Sequence, residues 1–252
     1  MNMRTPLGWL AVVLGGLAAT GCIASPDEDV GGLEEPALHG NALTQNALTQ
    51  NALTQNALTQ NALTQNALED PEARELFSYI VSCALPEGAE LQYTDGEGTS
   101  HVFHGDLGLA PHWGNPGGKC DAACQQWVSG CVLSRLSYDG EPHVISVRGT
   151  HPALMVTGAE HHAFKRREAT YYGNIFSQPQ RLLACLPPGR KQDPRVCGPS
   201  IEDCALSFQG SCADVCLGSL HNGAFFLCVG PSDHVGGMPK KLYLGDVTVF
   251  LP

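Results

Sequence analysis

The sequence predicts a single α+β domain held together by disulfides, carried at the end of a long lead that is not globular. Three observations predict it. Two segments carry apolar residues at helical spacing, several short strand-like runs do not alternate with them, and residues 70 to 252 hold ten of the chain's eleven cysteines. Helices and strands that are not regularly interleaved mark the α+β class rather than a parallel α/β sheet. Ten is an even number, enough for five bonds, and a domain so rich in cysteine is expected in an oxidising compartment.

The elements follow in order. Asp70-Pro71 is an N-cap with proline at the first helical position, and Leu76, Phe77, Ile80, Cys83 and Ala84 recur on one face. This helix should end near Leu85, because Pro86 and Gly88 follow. Two strand-like runs, Glu90 to Thr94 and Thr99 to Phe103, flank Asp95-Gly96-Glu97-Gly98, a hairpin signal. A second helix fits Asp121 to Arg135, with Cys124, Trp127, Val128, Cys131 and Val132 as its apolar stripe. Strands are expected at His143 to Arg148, Ala169 to Phe176, Phe225 to Val229 and Leu242 to Leu251.

The cysteines fall onto this frame. Cys83 lies on the stripe of the first helix, and Cys124 and Cys131 on that of the second, so a bond between the helices is expected, while Cys120 and Cys124 are spaced to pair locally. Cys185, Cys197, Cys204, Cys212, Cys216 and Cys228 suffice for three more bonds. Six cysteines allow about fifteen connectivities, and spacing does not choose among them. A short likeness also suggests two related halves. Ser82 to Gly88 is similar to Ala184 to Gly189, and each is followed by a C-x3-C pair, Cys120 with Cys124 and Cys212 with Cys216, then a single cysteine, Cys131 or Cys228. Asp203-Cys204-Ala205-Leu206 offers a rival register, so one domain is the expectation.

The lead explains the odd cysteine. Residues 1 to 21 carry one early positive charge, Arg4, then the apolar run Leu7 to Leu17, then Ala18, Ala19, Thr20 and Gly21, the layout of an export signal. The run is shorter than the roughly 20 residues a membrane-spanning helix needs. Ala19-Thr20-Gly21-Cys22 resembles the lipobox of bacterial lipoproteins, which implies that the Cys22 sulfur is acylated. Each buried methylene of such chains is worth about 0.8 kcal/mol, so several together make a stable anchor. Ile23, in place of aspartate, implies the outer membrane by the same resemblance.

Residues 22 to 35 form an acidic linker, with Asp27, Glu28, Asp29, Glu34 and Glu35. From 36 to 70 an Ala-Leu pair recurs every five residues: PALHG, five identical copies of NALTQ, then NALED. A period of five makes neither a helix nor a strand amphipathic. The pattern resembles the pentapeptide-repeat β-helix, but there the small residue stands two before the central leucine, where this chain has Asn41, Asn46, Asn51, Asn56 and Asn61. Those amides would enter a dry core, so a spacer is expected, on the order of 40 Å long on average.

Chemistry is sparse. The formal charge of -11 disfavours nucleic acid, and Lys165-Arg166-Arg167 is the sole basic cluster. The two C-x3-C pairs could make a zinc site only if reduced, so no metal and no cofactor is expected. No zincin helix, G-x-S-x-G elbow, C-x-x-C redox pair or phosphate-binding glycine loop occurs. Tyr171, Tyr172 and Trp113 are the candidates for binding, since aromatics beside turns stack on sugars or on a partner's side chains, although alternating aromatics on a strand more often pack in the core and a loop Trp can simply lid it. His101, His104 and Asp106, or Glu160, His161 and His162, would serve a hydrolase if the fold gathered them into a pocket; scattered, they would favour binding.

The lipobox and NAL repeats, with ARELFSYIVSCALPEG (Ala73 to Gly88), CQQWVSGCVLSRL (Cys124 to Leu136) and REATYYGNIF (Arg167 to Phe176), together resemble a group of surface lipoproteins of myxobacteria. The resemblance implies a place in the cell envelope and brings no activity, catalytic residue or ligand. The reading is therefore a lipid-anchored protein that displays its domain for binding or envelope structure, its partners being the membrane and a protein or polysaccharide ligand.

Overall fold

The computed structural model describes residues 68–115, 118–230 and 241–252. The export signal, Cys22, the acidic linker and the repeats up to residue 67 lie outside the described residues. The first helix, α1 (Pro71–Ala84), starts where the sequence places it, with the Asp70 side chain accepting the Glu72 N–H. Its buried positions, among them Ala73, Leu76, Phe77, Ile80, Cys83 and Ala84, form one stripe. The folded domain already includes the end of the last repeat unit. Leu68 is fully buried in the main core, and Glu69 accepts hydrogen bonds from Tyr93 Oη and the Gly96 N–H in the hairpin that follows.

That hairpin, β1 (Glu90–Thr94) and β2 (Ser100–His104), pairs Glu90 with His104 and Thr94 with Ser100. Asp95 closes its turn by accepting the N–H groups of Glu97 and Thr99, while Gly98 adopts a φ of 86° that its lack of a Cβ permits. The second helix, α2 (Ala122–Ser134), is N-capped by Asp121. It departs from the amphipathic stripe expected of it, because it lies between α1 and the sheet and is buried on nearly every side, Gln126, Ser129 and Ser134 included. Cys124 and Trp127 are the half-buried members. Buried hydroxyls must bond, and here the Ser129 hydroxyl donates to the Gln125 carbonyl and accepts the Ile175 N–H.

After α2 come β3 (Ser146–Arg148), a short 3-10 turn (Pro152–Leu154), α3 (Gly158–Ala163), β4 (Arg166–Asn174), β5 (Arg181–Leu186), α4 (Pro194–Cys197), β6 (Ser207–Ser211), α5 (Cys212–Val215), β7 (Cys216–Ser219), β8 (Phe225–Cys228) and β9 (Val247–Leu251). The main sheet has the order β3-β9-β4-β5-β6, antiparallel except for the β5–β6 pair; β7 and β8 form a separate ribbon. Side chains alternate across β4. Tyr171 therefore joins the core shared with α1 and α2, and Tyr172 joins a smaller one with Leu183, Cys185, Cys212, Phe225, Cys228 and Tyr243. Helix α2 approaches the chain before β9 so closely that a Cβ at Gly130 would stand 2.3 Å from the Gly245 carbonyl oxygen, which only glycine accommodates. The last strand begins at Val247 rather than Leu242, and Leu242 forms an isolated antiparallel bridge with Val229 instead.

All ten cysteines of the domain are bonded: Cys83–Cys131, Cys120–Cys124, Cys185–Cys212, Cys197–Cys204 and Cys216–Cys228. The bond between the two helices is Cys83–Cys131. The suggested relation of two halves is not present, because Ser82 to Gly88 closes a helix whereas Ala184 to Gly189 closes a strand. Moreover, Cys120 pairs with Cys124, while Cys212 and Cys216 take different partners.

Candidate functional site

The aromatic candidates sit deeper than binding by exposed rings requires. Tyr171 and Tyr172 have no exposed surface, since β4 is a central strand covered on both faces, so neither stacks on a ligand. Trp113 is 5% exposed, its ring edge-on to Phe77 at 6.3 Å, and its Nε1 has no hydrogen-bond partner among the described residues. It does line a cleft.

The cleft is built from the end of α1. The last carbonyls of a helix lack intrahelical partners, and here the following loop supplies them: the N–H groups of Leu107, Leu109 and Ala110 bond to the carbonyls of Ser82, Cys83 and Ala84. That lays Leu109, Ala110, Pro111 and Trp113 along one wall of a cavity of about 520 Å³. His112, Lys119, Asp121 and His151 contribute its polar groups. The size lies within the range of about 300–1,000 Å³ of small-ligand sites. Asp121 spends one oxygen on the Cys124 N–H. His151 accepts the Ala153 N–H at Nδ1, which leaves the proton on Nε2, and burial pushes its pKa down, so it is a neutral donor. The cleft thus combines an apolar wall with an ammonium and an imidazole N–H. Its one cysteine, Cys124, is bonded to Cys120, so no thiol nucleophile lines it.

The histidines considered for hydrolysis do not converge. Nε2 of His101 pairs with Asp95 at 2.9 Å and Nδ1 of His104 with Glu90 at 3.0 Å, both within the hairpin. Asp106 instead faces Arg135 and Ser82. Glu160 is buried and accepts the Ser146 hydroxyl, while His161 and His162 are exposed. Three sulfurs, of Cys185, Cys212 and Cys216, lie within 4.8 Å of one another, but all three are in disulfides and offer no thiolate to a metal.

Three buried acidic residues, at two places in the core, escape sequence reading. Glu168 and Asp193 meet at Tyr171 Oη, with Arg195 bonded to Glu168 at 2.7 Å. Asp193-Pro194 repeats the capping signature of Asp70-Pro71, and that signal alone could have located α4. Asp246 is also buried; its Oδ2 accepts the Cys228 N–H, and Oδ1 has no partner among the described residues. Burial pushes this carboxyl from 3.8 up to about 8, although the N–H groups of Cys228 and Leu227 favour its charged form. A carboxyl raised by folding stabilises the fold while protonated; its contribution, complete below about pH 4, is lost as pH rises through 8. Asp246→Asn is therefore expected to remove that loss and to gain on the order of 5 kcal/mol over the natural chain at pH 8 relative to pH 4. Urea unfolding of both chains at the two pH values measures it, and parallel pH profiles would count against the assignment.

What fold and cysteines define is a disulfide-stapled α+β domain compatible with an extracytoplasmic protein. No helix among the described residues is long and apolar enough to cross a membrane. In comparisons with known proteins, no family model, no curated protein and no solved structure matches the chain.

Proposed function

We propose that this chain is a lipid-anchored protein of the outer membrane that displays its domain as a binding module for a protein or polysaccharide, with the cleft beside Trp113 as the receiving site. The observation that carries the reading is the cysteine pairing. Ten of the eleven cysteines bond among themselves, so Cys22, placed after an export signal, has no thiol left to join in the domain. A lone thiol in an oxidising compartment is a liability, and acylation removes it. The resemblance to myxobacterial surface lipoproteins supports the same location. The cleft supports binding, since it joins apolar wall to a few polar groups and the histidines are scattered.

The test is the anchor. Cys22→Ser should move the protein out of the membrane fraction or halt its maturation, and the natural chain extracted from membranes should exceed its cleaved mass by the acyl groups. A cleaved Cys22→Ser variant that stays fully membrane-attached would overturn the proposal.

A further inference from the structure

Two disulfides meet in the smaller core. Cys185 on β5 is bonded to Cys212 at the start of α5, and Cys216 at the start of β7 to Cys228 at the end of β8. Between the two bonds, Sγ of Cys216 stands 3.6 Å from Sγ of Cys185. Cys185, Cys212 and Cys228 are buried, whereas Cys216 is half-buried and so is the sulfur at which an outside thiol can enter. Disulfides exchange when a thiolate attacks a disulfide sulfur, and the step needs the reacting atoms near contact, roughly 3–3.5 Å apart. The Cys185–Cys216 separation is just outside that range before any movement of either side chain.

We infer that these two disulfides are one thiol–disulfide exchange unit, through which a dithiol that reaches only Cys216 opens the buried Cys185–Cys212 bond. The steps balance without a further reagent. A thiolate of the dithiol attacks Cys216, its S–S bond to Cys228 breaks, and Cys228 leaves with the electron pair and takes up a proton. The second thiol of the reductant closes onto the first, forming its own disulfide and releasing the Cys216 thiolate. Cys216 then attacks Sγ of Cys185; the Cys185–Cys216 bond forms, the Cys185–Cys212 bond breaks, and Cys212 leaves as a thiolate that is protonated. The reductant has lost two electrons and two protons, and the domain holds them as the thiols of Cys212 and Cys228. The natural partner has the chemistry of an extracytoplasmic dithiol, and its effect is to release Cys212 at the start of α5 and to move the tie with β5 to Cys216 at the other end of that helix, breaking a bond it does not touch.

The test treats the whole chain with less than one equivalent of a small dithiol, traps thiols by alkylation and maps peptides without reduction. The expected result is a Cys185–Cys216 linkage, with label shifted from Cys216 onto Cys212 and present on Cys228. Label confined to Cys216 and Cys228, with Cys185–Cys212 intact, would overturn the inference. Cys228→Ser tests the last step alone, since it leaves Cys216 without a partner and needs no reductant. In that variant the Cys185–Cys216 linkage and labelled Cys212 are expected, and a labelled Cys216 beside an intact Cys185–Cys212 bond would refute it. Should the variant not fold, the partial reduction of the natural chain still decides.

Discussion

Replacing Cys83 and Cys131 together by alanine is expected to cost the domain about 4 kcal/mol of stability, the value of the chain-entropy model for a loop of this length. The bond spans a sequence separation of 48, and within that loop lie the hairpin and the wall of the cleft. In the unfolded chain those residues are free to explore, and the cross-link removes that freedom. Cys120–Cys124, with a separation of 4, closes far less chain, and its removal should cost roughly 2 kcal/mol less by the same model. Urea unfolding of the two double variants measures the difference. Equal losses would show that native contacts around the bond, rather than loop closure, set its contribution.

Arg195→Leu is expected to be about as damaging, costing roughly 3–5 kcal/mol, because it strips the cation from a buried acidic group. Nε and Nη2 of Arg195 bond the Glu168 carboxylate, and its Nη1 and Nη2 reach the carbonyls of Leu136 and Ser134 at the end of α2. Without it, Glu168 and Asp193, each 1% exposed, would share a pocket with Tyr171 and no positive charge. Burial first and the Glu168 charge second already push Asp193 up from 3.8 to about 6, with Arg195 opposing them. The sign follows. A carboxyl raised by folding contributes fully below about pH 4 and loses that contribution as pH rises through 6, and removing the opposing cation raises it further. The variant should thus be hurt more at pH 7.5 than at pH 5, and Glu168→Gln added to it should restore part of the loss. A deficit equal at both pH values would mean that lost packing, not lost charge, is responsible.

Several elements were legible because their signals are local. Asp70-Pro71 with a stripe at helical spacing specifies α1, Asp121 caps α2, and Asp95-Gly96-Glu97-Gly98 between two apolar runs specifies the first hairpin. In each case the residues that decide the backbone lie within a few positions of it. Other strands were missed for the complementary reason. Ser207–Ser211 and Cys216–Ser219 are short and polar or glycine-containing, and they become strands only because β5 and β8 lie beside them.

The candidate site divides along the same line. Trp113 was legible as a loop aromatic, but the cleft beside it is assembled from Leu109 to Trp113, the start of α2 and His151, segments brought together by the carbonyls at the end of α1 and by the packing of Trp127 against His151. Tyr171 and Tyr172 read as a patch, yet a central strand covered on both faces buries whatever it carries.

By itself the sequence determined the α+β class, the two long helices with the bond between them, the first hairpin and the cysteine parity that isolates Cys22, all properties of spacing, capping residues and counts. Only the tertiary structure decided that Cys83 takes Cys131 rather than Cys124 and how the other cysteines pair, that β5 and β6 run parallel, and that Glu168, Asp193 and Arg195 meet around Tyr171. Those outcomes depend on which surfaces come into contact across tens of residues, and the energy that selects them, burial of apolar area against the cost of burying charge, exists only once the layers have closed.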